Sequence, residues 1–153
     1  MINVGDKLPD FKLTDHKGNV VDSKSLAGKG IIFGFHPLAY TGVCEKQMKQ
    51  LEENYDYFKN LGYEVFGVSI DTSFSKNSWA KQIDINNVKM LADFWPHGGF
   101  AIKLGIFRGN EGFSERACLI INKQGIVKWT KIYDIPELPS IDEIKEQAKK
   151  ATL

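Results

Sequence analysis

Two apolar runs, "IIFGFH" at residues 31–36 and "EVFGVSI" at residues 64–70, constrain this chain more than any other feature. Neither alternates apolar with polar residues. A strand with one wet face reads with a period of two, whereas consecutive apolar residues mark a strand covered on both faces. Between the two runs, Cys44, Met48, Leu51, Tyr55 and Phe58 recur at spacings of 4, 3, 4 and 3, the stripe of one helix face. The spacing predicts a single helix after Pro37 that carries all five residues and turns Cys44 toward the core. A strand, a covering helix and a second parallel strand make the unit from which helix-flanked sheets are built.

The remaining segments extend the same plan. "FKLTDHKGNVVD" reads as a hairpin at the N-terminal end, with Asp15 to Asn19 supplying the turn. A helix is expected around "SFSKNSWAKQ", a short strand at "KMLAD" and a brief helix after "WPHGG". "ERACLIIN" and "IVKWTKIY", joined through "KQG", read as a strand pair. The last helix opens at Ser140, with Glu143 three residues on as a capping box behind Pro139. The expected fold class is α/β, a mixed central sheet flanked by helices, in a single domain over residues 1–153. Ligands in such folds bind beyond the carboxyl ends of strands, where loops lead into helices.

Charge and composition exclude several function classes. The formal net charge of +1 comes from interspersed residues of both signs, with no basic stripe for nucleic acid or a polybasic membrane contact. No apolar run approaches the roughly 20 residues that span a bilayer. The start "MINVGDKLPDF" lacks a signal peptide's basic flank and apolar stretch. Cys44 and Cys118 do not form a disulfide framework, so the expected compartment is a reducing cytoplasm. Three scattered histidines and two distant cysteines show no metal-ligand spacing.

Cys44 therefore carries the functional question. A free thiol titrates near 8.5, so roughly 3% is thiolate at neutral pH. A helix N-terminus favours the anion through its unpaired N–H groups and macrodipole. Nucleophilicity falls with basicity, by roughly tenfold or more over 2.5 units, so acidity alone gains only a few-fold in rate. Efficient chemistry needs groups that stabilise charge as the thiolate attacks. Thr41, three residues earlier, can cap the helix or point at a substrate oxygen. Of the two arginines, Arg108 and Arg116, the latter opens the apolar strand "RACLII" and is the better placed to face inward. Its planar, permanently charged fork suits an anionic sulfur beside a polar substrate.

With those residues in view, the chain resembles the peroxiredoxin family. "PLAYTGVC" matches the family's active-site pattern of Pro37, Thr41 and Cys44, and "ERACLIIN" matches its later strand, with Arg116 at the arginine. "VSID" followed by Trp79, and "DFWPHG", add to the likeness, which is greatest to the one-cysteine, alkyl hydroperoxide reductase E-like branch. The resemblance implies a thioredoxin-like fold with an N-terminal hairpin, and a thiol peroxidase that needs no metal or haem. It implies that Cys44 attacks hydrogen peroxide or an organic hydroperoxide and becomes a sulfenic acid. Pro37 would shield the sulfur. Thr41, Arg116 and backbone N–H groups near Val43 and Cys44 would hold the peroxide oxygens. An external thiol reductant is implied, whether thioredoxin, a glutaredoxin-like protein or a low-molecular-weight thiol, and a homodimer.

Three positions depart from the family pattern. Glu45 follows the cysteine, where threonine, proline or glutamine is frequent. Gln47 stands where a glutamate often contacts the arginine. His36 precedes Pro37, where an aromatic residue is usual. Cys118 reads as a buried strand residue, His16 and His97 as loop residues, and Trp79 and Trp95 as packing. The alternative function is a thioredoxin-like peroxide sensor that passes oxidation to a partner without efficient turnover. A dithiol oxidoreductase is disfavoured because "CEKQ" lacks a second cysteine, and a cysteine protease would need His36 or His97 beside Cys44.

Overall fold

Strand β3 (Gly30–Phe35), the first apolar run, lies at the centre of the sheet, with β4 (Tyr63–Ser69) parallel on one side and β8 (Arg116–Ile121) antiparallel on the other. A computed structural model describes residues 1–152. Beyond β4 lie β5 (Lys89–Ala92), parallel to it, and the hairpin of β1 (Lys12–Asp15) and β2 (Val20–Asp22). Strand β9 (Val127–Tyr133) closes the other edge, giving a seven-stranded mixed sheet in the order β2-β1-β5-β4-β3-β8-β9. All six residues of β3 are buried, as its unbroken apolar run requires.

The helical stripe after Pro37 is split. Helix α1 spans Gly42–Glu53 and α2 spans Tyr55–Asn60, so one expected helix is two. Asn54 makes the break: its backbone has left helical geometry (φ −106°, ψ 13°) and its side-chain amide donates to Gln50 O at 2.8 Å. That local bond competes with the helical ladder, as asparagine side chains do. Cys44, Met48, Leu51 and Phe58 are nevertheless all buried on the sheet side. The other helices are α3 (Ser73–Gln82), α4 (Gly99–Leu104) and α5 (Ile141–Ala151), as the sequence predicts. Ser140 Oγ caps α5 by accepting from Glu143 N, but the Glu143 carboxylate pairs with Lys131 at 3.0 Å instead of closing the box. A 3-10 turn at Ser23–Leu26 and a small ladder of β6 (Phe107–Arg108) and β7 (Phe113–Ser114) carry no pattern that the sequence reading detects.

Alternation sorts the sheet's side chains into two cores. Ile31, Phe33, Phe35, Phe66, Val68, Ala117 and Leu119 face one side, and Ile32, Val65, Cys118 and Ile120 face the other, beneath α1. On the α1 side, Gly34 and Gly67 are register partners in adjacent strands. A Cβ on Gly34 would meet Leu51 Cδ1 at 2.8 Å, and one on Gly67 would collide with Met48 Sδ. The two glycines thus form a hollow that seats α1 against the sheet and sets where its first turn, with Cys44, comes to rest.

Candidate active site

At the carboxyl end of β3 the chain turns through Pro37 and enters α1. Gly42, Val43 and Cys44 are the first three residues of that helix, and the first bond of its ladder runs from Glu45 N to Thr41 O at 2.9 Å. The N–H groups of those three residues therefore have no acceptor one turn back, and they converge at the helix head with the positive end of its dipole. The Cys44 side chain is fully enclosed, and Pro37, at the turn out of β3, is buried too. Tyr40, in the intervening loop, holds a left-handed backbone (φ +65°), a conformation that costs a non-glycine residue of order 1 kcal/mol and that collects at functional loops.

Arg116 reaches the sulfur from β8. Its Nη1 donates to Cys44 Sγ at 3.3 Å and to Gln47 Oε1 at 2.7 Å, and its Nε donates to Ile135 O at 2.8 Å. Gln47 is itself held by its amide, which donates to Phe35 O at 3.1 Å. The guanidinium is therefore fixed from three sides while only 2% of Arg116 is exposed. Among the described residues Nη2 has no protein acceptor, so it is the part of the fork left for a ligand. Arg108 instead lies at the surface and pairs with Glu111 and Glu115.

The structure brings Arg116 to Cys44, with Val43 beside it in the first turn of α1 and Thr41 exposed just before that turn. Thr41 occupies the N-cap position of α1, but its side chain makes no capping bond. Its hydroxyl donates to Leu38 O at 2.8 Å and is exposed, which corrects the capping alternative. Glu45 turns to Lys49 at 3.6 Å. Cys118 is buried and reduced on the same side of the sheet as Cys44, and burial pushes its thiol well above the usual range. Trp79 is buried against His36 and Tyr40, whereas Trp95 is 81% exposed and packs into no core. His97 donates to Gly112 O at 2.7 Å, and His16 lies in the β1–β2 turn as the sequence reading has it, but buried and accepting from Met90 N at 3.1 Å.

The sequence reading misses a second polar group behind the site. Lys76 on α3 is fully buried and donates to Ser69 Oγ and to His36 Nε2, the latter at 3.2 Å. Ser69 Oγ donates to Asp71 Oδ2 at 2.6 Å, and the same oxygen accepts from Ala39 N at 2.8 Å in the loop before Cys44. Helical spacing could have exposed this: Lys76 shares a face with Trp79, Ala80 and Ile83, all buried.

Fold and geometry together define a thioredoxin-like α/β protein with a lone enclosed thiol at a helix head, paired to an arginine. The chain belongs to the AhpC/TSA family, whose model matches residues 4–130. Alkyl hydroperoxide reductase E of Mycobacterium tuberculosis is 30% identical over 133 residues, covering 86% of each chain. Peroxiredoxin-2 of Mus musculus is 28% identical over 149 residues, 92% of this chain and 74% of that one. Among solved structures, Enterococcus faecalis AhpC superposes with a TM-score of 0.91 at 27% identity, over 98% of this chain and 92% of that one. The chain is a peroxiredoxin-family thiol peroxidase, and its family implies a peroxide substrate. Among the described residues no helix is long and apolar enough to cross a membrane.

Proposed function

We propose that Cys44 is the peroxidatic cysteine of a one-cysteine cycle that reduces hydrogen peroxide or organic hydroperoxides and is returned by an external thiol. The observation that carries this reading is the 3.3 Å approach of Arg116 Nη1 to Cys44 Sγ at the open end of α1. The Cys44 thiolate attacks one peroxide oxygen, an S–O bond forms as the O–O bond breaks, and the oxygen bearing hydrogen stays on sulfur as sulfenic acid. The other oxygen leaves as hydroxide or alkoxide and takes a proton to give water or an alcohol. Arg116 and the N–H groups of Val43 and Cys44 face the place where that negative charge shifts, and they are fixed before reaction. Thr41 at the mouth directs the bound peroxide, and Pro37 excludes water from the sulfur.

One external thiol then displaces water from the sulfenic acid to form a mixed disulfide, and a second releases Cys44 as thiolate. Burial of Cys118 in a central strand favours an outside reductant over an internal one. The chain acts as a single thioredoxin-like domain in a reducing cytoplasm. It pairs as a homodimer, for which the exposed aromatic rings of Tyr40, Phe74 and Trp95 offer apolar surface. The test is peroxide consumption with thioredoxin, a glutaredoxin-like protein or a small thiol as donor, with and without Cys44. Catalytic cycling with at least one donor is expected. Stoichiometric oxidation with every donor would favour the sensor reading.

A further inference from the structure

The buried chain from Lys76 joins the ends of β3 and β4 to the active-site loop. Arg116 at the start of β8, His36 just past β3 and Ser69 at the end of β4 all turn to the α1 side of the sheet. Lys76 descends from α3 on the latter two, His36 and Ser69. His36 is fully buried, its Nδ1 donates to Gly34 O at 3.2 Å, and its Nε2 therefore presents a lone pair to Lys76. A lysine with no exposed surface and a neutral histidine as partner is an expensive arrangement unless its charge is used.

We propose that Lys76 is a positioning residue for the reaction of Cys44, holding the loop at Ala39 through Ser69 and Asp71 and bringing the charge of a buried amino group to bear on the thiol. The proposal rests on Cys44 being the reacting cysteine. Burial brings the Lys76 ammonium down to about 7, with the charges of Asp71 and Cys44 opposing that fall. Lys76 touches His36, just past β3, and Ser69, which links it to Asp71; the charges that act on it from further off are those of Asp71, Cys44 on α1 and His16 in the β1–β2 turn. Arg116 acts on the pair through His36, which burial, then Lys76, then Arg116 keep well below the usual imidazole range. His36 thus stays uncharged, and Lys76 is the group that changes state near neutrality.

Loss of the proton need not break the chain. An ammonium has three N–H donors and an amine has two, enough for the same two acceptors, His36 and Ser69. The hydrogen bonds that fix the loop persist, and what disappears is the charge. Coupling between the two sites is reciprocal. A thiolate at Cys44 favours the ammonium at Lys76, and the ammonium favours the thiolate. Conversion of the thiolate to a neutral sulfenic acid withdraws that support and releases the Lys76 proton.

Two measurements test the proposal. The first follows Lys76 by NMR in protein with isotope-labelled lysines, the signal being assigned by its loss in Lys76→Arg. A midpoint of about 7 is expected in the reduced protein. After iodoacetamide caps Cys44 with a neutral group, it should fall by about one unit, the lower end of what one nearby opposite charge does. A midpoint near the ordinary lysine value of about 10.4, or one that capping does not move, would overturn the proposal. The second compares iodoacetamide alkylation rates of wild type and Lys76→Met. A loss of roughly fivefold is expected near pH 6, where Lys76 is charged, shrinking toward parity near pH 8.5. An equal loss at every pH reports a merely structural lysine and also overturns it. If Lys76→Met does not fold, the wild-type titration still decides. A Cys44 that resists both iodoacetamide and peroxide removes the reacting thiol and the proposal with it, an outcome recognisable from the mass spectrum alone.

Discussion

Arg116 Nη1 bridges Cys44 Sγ at 3.3 Å and Gln47 Oε1 at 2.7 Å, so the residue that steadies the arginine is neutral and draws no charge away from the sulfur. Lysine at this position supplies a point charge that cannot reach Cys44, Gln47 and Ile135 together. Arg116→Lys is expected to lower the second-order rate with peroxide by at least about tenfold, and Cys44→Ser to abolish turnover. Stopped-flow peroxide reduction checks both. A rate within about twofold of wild type for Arg116→Lys would refute the assigned role.

Thr41 is exposed and its hydroxyl is anchored on Leu38 O, so substitution tests chemistry more than folding. Thr41→Ser keeps the hydroxyl and should be mild. Thr41→Val removes it and should cost about tenfold to a hundredfold in kcat/KM. Equal rates for the two variants would reduce Thr41 to a spacer.

Cys118 lies two residues beyond Arg116 and shares a core with Cys44, close enough in the fold for a bridge to be worth seeking. A disulfide needs Cα atoms within about 7 Å and converging Cβ vectors, and a central strand held on both sides does not shift readily. One equivalent of peroxide followed by a sulfenic-acid trap should give one adduct at Cys44, and Cys118→Ser should turn over like wild type. A loss of two hydrogens mapped to a Cys44–Cys118 link, with an inactive Cys118→Ser, would sink the one-cysteine cycle.

Gly67→Ala puts a methyl group into the Met48 thioether in the hollow where α1 rests. Overpacking of this kind costs about 1–3 kcal/mol. We expect lower stability by denaturant titration and a slower peroxide reaction, because displacing Met48 moves the turn that carries Cys44. Full stability would mean that Met48 rearranges freely.

Lys76 also leaves a mark on stability. Its proton affinity is lowered in the folded protein, to about 7 from 10.5, so between those values the unfolded chain holds a proton that the native state has lost. Stability must then rise with pH across that window, with a slope of up to about 1.4 kcal/mol per pH unit, and the burial penalty is fully present below it. Denaturant unfolding of wild type and Lys76→Met between about pH 6 and pH 9 should show the wild type gaining on the variant as pH rises. Parallel stability curves would show that folded Lys76 keeps its proton, and so its charge, across that range.

The residues that were legible in the sequence are those whose pattern reports one environment. "IIFGFH", "EVFGVSI" and "RACLII" became the three central strands because unbroken apolar runs fit only a doubly covered sheet. Cys44 and Arg116 could be expected together because a thiol at a helix head needs a fixed cation, whereas Pro37 was drawn in only by the family pattern. Asn54 was not legible as a break, since the apolar stripe runs through it and a side-chain bond to Gln50 O decides the matter. Lys76 was hidden by its residue type: a lysine on an amphipathic helix reads as solvated, and only the burial of Trp79 and Ala80 beside it shows otherwise. His36 reads as a strand end because its two partners, Gly34 O and Lys76, lie on backbone and on a distant helix.

The complete enclosure of Cys44 divides the work of this protein in time. A sulfur with no exposed surface in this conformation can meet a peroxide only after the chain around it moves, and Tyr40, four residues before Cys44, holds one of the two left-handed non-glycine backbones among the described residues. A slender hydroperoxide needs a brief parting. A thiol donor, which must align its own sulfur with the oxidised one, needs a wider and rarer one. In the proposed cycle, oxidation then calls for a smaller opening around Cys44 than reduction does.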